Sequence, residues 1–423
     1  MLRRRDRRFG RVTAAIRAGF SMSARDALKR GKAARIGAAI AFALWLGGCN
    51  SPGLGSFNDN AAAPTPRVET QPLAGPAATV GQTYGSGPVR VGMILPLTQN
   101  GKPSAIGQAL SNAAQMAIGD GGAGDITLMV MDDRSAAEDA GTAAQAEVKA
   151  GAQIILGPLF ATSVRQASQV AKAANVPVIA FSTDATTASE GVYLLSFLIE
   201  SYVDRIVDFA VSKGKRNFAV LAPQNDYANV AVAEFKARAA SAGANVVTVA
   251  RYAPGQAGDA VAQIQHDAPN VDAVFVPEQA DSLGAVATAI SDAGLKTQLL
   301  GTGVWNDPRV ASIAALQGAW YAAPEVGGFN AFAKRYRAKF DADPPRLATL
   351  SYDAVSLVAA LAHTQNSQRY SPAVLASASG FNGADGLFRF RASGLNERGL
   401  AVVQIGNGGV EVVSPAPKSF AGG

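Results

Sequence analysis

Two histidines, His266 and His363, and one cysteine, Cys49, make up the whole imidazole and thiol chemistry of the chain. Nucleophilic, metal-assisted and proton-transfer sites are built mostly from such groups, and here they are too few and too scattered to build a triad or a zinc site. His266 lies in Gln265-His266-Asp267-Ala268-Pro269 and His363 in the last turn of a helix predicted over 347–364, where a cationic ring complements the helix dipole. No spacing singles out a pair of carboxylates for acid–base work. The glycine motifs fail on context. Gly119-Asp120-Gly121-Gly122-Ala123-Gly124 matches G-x-G-x-x-G but follows a helix and precedes a strand, the reverse of a dinucleotide loop, and reads as a helix-to-strand turn. Gly101-Lys102 is no phosphate loop, because Pro96 and Pro103 occupy the glycine and hydroxyl positions it would need. There is no G-x-S-x-G string. These residues predict a protein that is not an enzyme and takes neither cofactor nor metal.

The setting of Cys49 points to another use for its thiol. Ile36 to Gly48 carries no charge and is preceded by Lys29, Arg30, Lys32 and Arg35, a positive leader followed by a short apolar run. The run is shorter than the ~20 residues a membrane-spanning helix needs. Leu46-Gly47-Gly48-Cys49 resembles the bacterial lipoprotein signal, in which the thiol is lipidated and the chain is cut just before it. Residues 1–48 are then a signal peptide, with Met22 a second candidate start, and Asn50 after the cysteine resembles lipoproteins sent to the outer membrane rather than kept at the inner one. The cut also changes the charge argument. The whole chain is nominally +6, but residues 1–35 hold twelve Lys and Arg against two Asp, leaving 26 basic and 30 acidic residues after the signal. A basic footprint for nucleic acid is therefore discarded with the leader.

Residues 49–88 read as a lipidated tether: Asn50 to Pro88 contains six Pro and six Gly with no helical or strand period, too little apolar surface to offset the entropy of ordering. From Val89 the pattern becomes short apolar strands alternating with Ala-rich amphipathic helices. Strands are expected at 89–95, 126–131, 153–156 and 176–181, with helices at 104–118, 136–150 and 163–174 between them. Continuous apolar strands of this kind mark a parallel sheet covered on both faces. The alternation restarts with strands at 217–222, 245–250, 273–276 and 298–301 and helices at 227–242 and 281–292. Helices at 329–340 and 347–364 and a β-rich end at 387–391, 400–405 and 410–413 follow. Two doubly wound α/β lobes are predicted.

This order resembles the type I periplasmic binding proteins, the leucine-binding branch in particular, over essentially all of Val89 to Val413. The strings that carry the likeness are Val91-Gly92-Met93-Ile94-Leu95-Pro96-Leu97-Thr98, Asp132-Asp133, Ile155-Leu156-Gly157-Pro158-Leu159, Val176-Pro177-Val178-Ile179, Ala293-Gly294-Leu295-Lys296-Thr297-Gln298 and Ser351-Tyr352-Asp353-Ala354. The resemblance implies two Rossmann-like lobes within 89–415, one of about 89–199 with 323–386, the other of about 200–322 with 387–415. A hinge of three strands would join them, with crossings near Leu198, Tyr321–Pro324 and Gly386. A small polar ligand would lie between the lobes, at the C-terminal ends of the strands. Thr162 and Ser163 would offer hydroxyls at a helix N-terminus, Ser182, Thr183 and Asp184 would lie beyond the next strand, and Tyr227, Gln279 and Trp305 would come from the second lobe.

Departures from the family pattern bear on the ligand. Leucine-type receptors hold the ligand carboxylate with a hydroxyl where this chain has Ala161, stack an aromatic where it has Gln279, and hold the ammonium with an acid where it has Gly303. Trp305 could replace the missing aromatic as a cleft wall, and Asp184, at the family's threonine position, could meet an ammonium. The expected function is a lipid-anchored periplasmic receptor that passes an amino-acid-type or other small polar solute to an ABC permease. Ile94-Leu95-Pro96-Leu97 and Leu156-Gly157-Pro158-Leu159 also resemble the lipoprotein activators of penicillin-binding proteins, which would make the fold a docking module for such a synthase.

Overall fold

The computed structural model describes residues 81–364, 367–406 and 409–420. The signal, Cys49 and most of the predicted tether lie outside them. The first lobe runs β1 (Gln82–Tyr84), β2 (Val89–Leu95), α1 (Ala105–Ala117), β3 (Ile126–Asp132), α2 (Ala137–Lys149), β4 (Ile155–Leu156), α3 (Ala161–Ala173), β5 (Val178–Ala180) and β6 (Val192–Leu194). The strand order is β1-β3-β2-β4-β5-β6, parallel except for β1. Cover on both faces explains why β2 is apolar everywhere but at the exposed Arg90. Val91, Met93 and Leu95 pack to one side with Leu110 of α1, while Ile94 packs to the other with Ala140 and Ala144 of α2 and Val164 of α3.

The second lobe repeats the plan with α4 (Ile199–Ser212), β7 (Asn217–Pro223), α5 (Asp226–Ser241), β8 (Asn245–Tyr252), α6 (Ala257–Asp267), β9 (Ala273–Phe275), α7 (Ala280–Asp292), β10 (Gln298–Gly301) and β11 (Trp320–Ala323). The chain then forms α8 (Val326–Phe340), α9 (Ala348–Thr364) and a small antiparallel sheet of β12 (Phe381–Gly383), β13 (Gly386–Phe390) and β14 (Asn396–Arg398). It ends as β15 (Ala401–Gly406) and β16 (Gly409–Ser414), added antiparallel to give the order β8-β7-β9-β10-β11-β15-β16. Phe218 and Val220 of β7 pack with Phe235 of α5 on one face, and Ala219 and Leu221 with Val261 of α6 on the other.

Two boundaries differ from expectation. The predicted tether stops short of Pro88, because Gln82–Tyr84 pair with Leu128–Val130 of β3 and cover that edge of the sheet. Three residues among glycines carry no strand period, and their order comes from the partner strand. The third crossing falls at Gly399 and not at Gly386. Phe388 and Phe390 are buried with Tyr193 and Val355 in the first lobe, whereas Leu400 and Val402 are buried with Phe218 and Phe235 in the second. Residues 387–391 read locally as a strand, but nothing local says which lobe covers them.

Candidate functional site

Within each lobe the order of the parallel strands reverses beside the first strand, between β2 and β4 in the first lobe and between β7 and β9 in the second. Open α/β sheets bind ligands at the C-terminal ends of strands at such points. The first two crossings leave from the C-terminal ends of β6 and β11, so those ends of both sheets lie at the hinge. In the first lobe Gly157 turns the chain from β4 toward α3. Its φ is +77°, and an added Cβ would run into the Ile94 carbonyl, so only glycine fits.

The first-lobe candidates separate. Thr162 is exposed in the first turn of α3, beside backbone N–H groups that lack helical partners. Ser163 is fully buried and lies by Asp133, so it does not present a hydroxyl to solvent. Burial pushes the Asp133 carboxyl up to about 6, against the lowering effect of the Ser135 amide and the Ser163 hydroxyl. Ser182 is also buried, and its hydroxyl accepts from the Asp184 amide at 3.1 Å. Thr183 is exposed. Asp184 caps the turn Ala185–Thr187, accepting from the Thr186 amide at 3.0 Å and hydroxyl at 2.6 Å, and Arg165 Nη2 donates to it at 2.7 Å. Its carboxyl is held below the usual range, first by the Thr186 hydroxyl, with a smaller effect from Arg165. The carboxylate is satisfied within its own lobe.

In the second lobe Tyr227, in the first turn of α5, shares a 2.5 Å hydrogen bond with Thr302 at the end of β10, and burial pushes its phenol up to about 12. Gln279 is half-buried at the start of α7, its amide donating to Glu278 Oε1 at 2.8 Å. Glu278 is buried and also accepts from the Tyr252 hydroxyl at 2.6 Å. Trp305 is not a cleft wall. It has no exposed surface, packs 6.3 Å from Tyr321 between ring centroids, and leaves no room for a side chain at Gly301. A tryptophan two residues past a loop glycine gives no local sign of whether it turns out or folds back over the strand.

Nothing in the sequence marks Tyr202, which lies in α4 just past the first crossing and follows only the three-residue strand β6. Its ring covers Gly303 so closely that a Cβ there would overlap it. Burial raises its phenol, the charges of Arg398 and Arg346 oppose that rise, and Asp385 and Tyr227 add to it. First-lobe and second-lobe groups therefore meet here. Arg346 donates twice to the buried Asp385, at 2.8 and 2.5 Å, and its guanidinium lies 5.1 Å from the Phe329 ring centre. Arg398, also buried, donates to the Ser196 carbonyl at 3.0 Å and stacks 4.4 Å over Phe197, locking β14 to the first crossing. Both histidines are exposed at helix ends, His266 beside Asp267 at 2.9 Å and His363 beside Asp125 at 3.0 Å. Among the described residues no group of three or more His, Cys, Asp or Glu is placed to hold a metal ion, and no helix is long and apolar enough to cross a membrane.

Residues 88–409 match the family model described as periplasmic binding protein. Similar solved structures include one described as a branched-chain amino acid ABC transporter from Rhodospirillum rubrum, with 19% identity, a TM-score of 0.69, and coverage of 77% of this chain and 99% of that one. An ABC transporter substrate-binding protein from Desulfitobacterium hafniense in complex with Leu is 17% identical, with a TM-score of 0.56 over 77% of this chain and 99% of its own. A solute-binding protein of an ABC transporter from R. palustris in complex with benzoate is 19% identical, with a TM-score of 0.52 over 79% and 97%. No curated protein matches the chain.

Proposed function

Because the chain belongs to the periplasmic binding protein family, we propose that it is a lipid-anchored solute receptor for ABC import whose ligand is a small organic acid without an amino group. The observation that carries the ligand class is the Tyr202 ring over Gly303. That ring takes the room a side chain at residue 303 would need, the place from which the resemblance would have an acid hold an ammonium, and a phenol reaching the ligand from there would offer a donor in place of that acid. Three nearby carboxylates do not replace that acid. Asp184 and Glu278 are occupied by their own lobes, and Asp226 sits in the first turn of α5, where its charge complements the helix dipole. An ammonium buried here would lack a partner, at a cost of several kcal/mol. The first lobe offers the opposite chemistry: the N-terminus of α3 and the exposed Thr162 suit a carboxylate. The benzoate complex of the R. palustris protein is a precedent on this fold for an acid with no amine.

The receptor acts without catalysis in the periplasm, anchored through Cys49 in the outer membrane by the Asn50 signal, and hands its solute to a permease. Import is preferred to activation of a penicillin-binding protein because the similar structures described above come from ABC transporters. Titration calorimetry with benzoate, a branched 2-oxo acid and leucine tests the reading. An acid should bind at least about tenfold more tightly than leucine, and Tyr202→Phe should weaken the acid about fivefold, the equivalent of one hydrogen bond. Micromolar leucine binding would overturn it.

A further inference from the structure

We propose that the C-terminal tail, residues 415–420, is a strap that ties the two lobes together across the hinge and limits their rotation. The tail leaves the second lobe at Ser414, the last residue of β16. Arg205 of α4 clamps that exit, its Nε donating to the Leu400 carbonyl at 2.7 Å and its Nη2 to the Ser414 hydroxyl at 2.6 Å and the Pro415 carbonyl at 3.3 Å. The Ala416 amide then donates to Glu325 Oε1 at 2.9 Å, beside the second crossing. Pro417 lies on Gly399 at the third crossing, 3.3 Å from where a Cβ would stand. Phe420 finally seats on the first lobe. The Arg389 guanidinium of β13 lies 4.5 Å from its ring centre, and Gly380, with φ at +71°, leaves its own side-chain space to the ring, which comes within 2.8 Å of a Cβ there.

A tail of this composition would ordinarily fray. Here it touches the second lobe, two of the three crossings and the first lobe in six residues, and it walls one side of a cavity of about 750 Å³ between α4 and the β13–β14 hairpin. Six residues reach at most about 20 Å, and Pro415 and Pro417 stiffen two of them. Rotation of the lobes changes the distance from the Arg205 clamp to the Phe420 seat, so the seat is kept over only part of the hinge's range. Releasing Phe420 frees the rest.

The test measures interlobe distances by pulsed electron spin resonance on the full chain carrying Cys49→Ser, with spin labels at Gln169→Cys on α3 and Lys236→Cys on α5, both exposed positions. Truncation after Ser414 should widen the distance distribution about twofold, Phe420→Ala should widen it in the same sense by a smaller factor, and Phe420→Tyr should leave it as it was. Melting followed by circular dichroism shows whether each variant is folded. If truncation unfolds the protein, Phe420→Ala alone decides. A folded Phe420→Ala protein with the intact distribution overturns the strap, as does a folded truncation with the intact distribution.

Discussion

Glu147 is fully buried on α2 and packed over Gly92 of β2, with only the Met93 backbone amide near enough to favour its charged form. Burial pushes its carboxyl from 4.5 up to about 8. The folded protein therefore holds a proton that the unfolded chain releases between these two values. The stability this group contributes is fully present below about pH 4.5, declines as pH rises, and is lost above about pH 8, a change on the order of a few kcal/mol. Glu147→Gln should remove that slope. Urea unfolding of both proteins at pH 5 and pH 8.5 should show the variant gaining on the wild type at the higher pH, and parallel curves would sink the assignment. Asp133 and Asp353, raised to about 6 and about 7 mainly by burial, titrate in both proteins and cancel in the difference. A sequence shows that residue 147 is acidic in an amphipathic helix but not that the helix turns it inward onto a glycine. Ser163 and Trp305 fall to the same ambiguity, each placed inside its lobe by one step of helix or loop rotation.

Among the elements, the joint between α9 and the β12–β13 hairpin depends on charge. Arg346, just before α9, is paired with Asp385 between β12 and β13, and Thr349 also donates to that carboxylate at 3.4 Å. Asp385 has no exposed side-chain surface. Removing only the arginine leaves a buried charge without its partner, a loss of roughly 3 kcal/mol or more, whereas replacing both groups by apolar ones of similar size is often near neutral. Arg346→Met should thus lower the melting temperature by several degrees, and adding Asp385→Leu should restore most of it. A double variant no more stable than Arg346→Met would contradict this account. The elements themselves were legible because a parallel strand covered on both faces is apolar at every position and its neighbours are amphipathic. The pieces that escaped, such as β1 and β6, are three residues long, and their order comes from the strands they pair with.

For the whole molecule, the proposed lipid attachment rests on the one cysteine. If acyl chains on Cys49, at about 0.8 kcal/mol per buried methylene, provide the anchor, Cys49→Ser should leave the protein uncut or move it to the soluble fraction. Membrane fractionation and the mass of the N-terminal peptide check it, and a variant cut at the same place and still firmly membrane-bound would refute the lipid reading.

The sequence by itself determined the class of this protein. Local periodicity dictates which faces must be buried, so alternating apolar strands and amphipathic helices specify two doubly wound lobes. The ordered strings from Val91 to Ala354 pointed to the binding-protein family, and Ala161, Gln279 and Gly303 stand where the resemblance expects the groups of a leucine-type grip. Periodicity does not say which distant element covers a given face. Only the tertiary structure put Tyr202 on Gly303, kept β13 and β14 with the first lobe as far as Gly399, and carried the tail back across the hinge to Arg389. Each of these contacts joins residues far apart along the chain, and its energy exists only once the intervening lobes have folded.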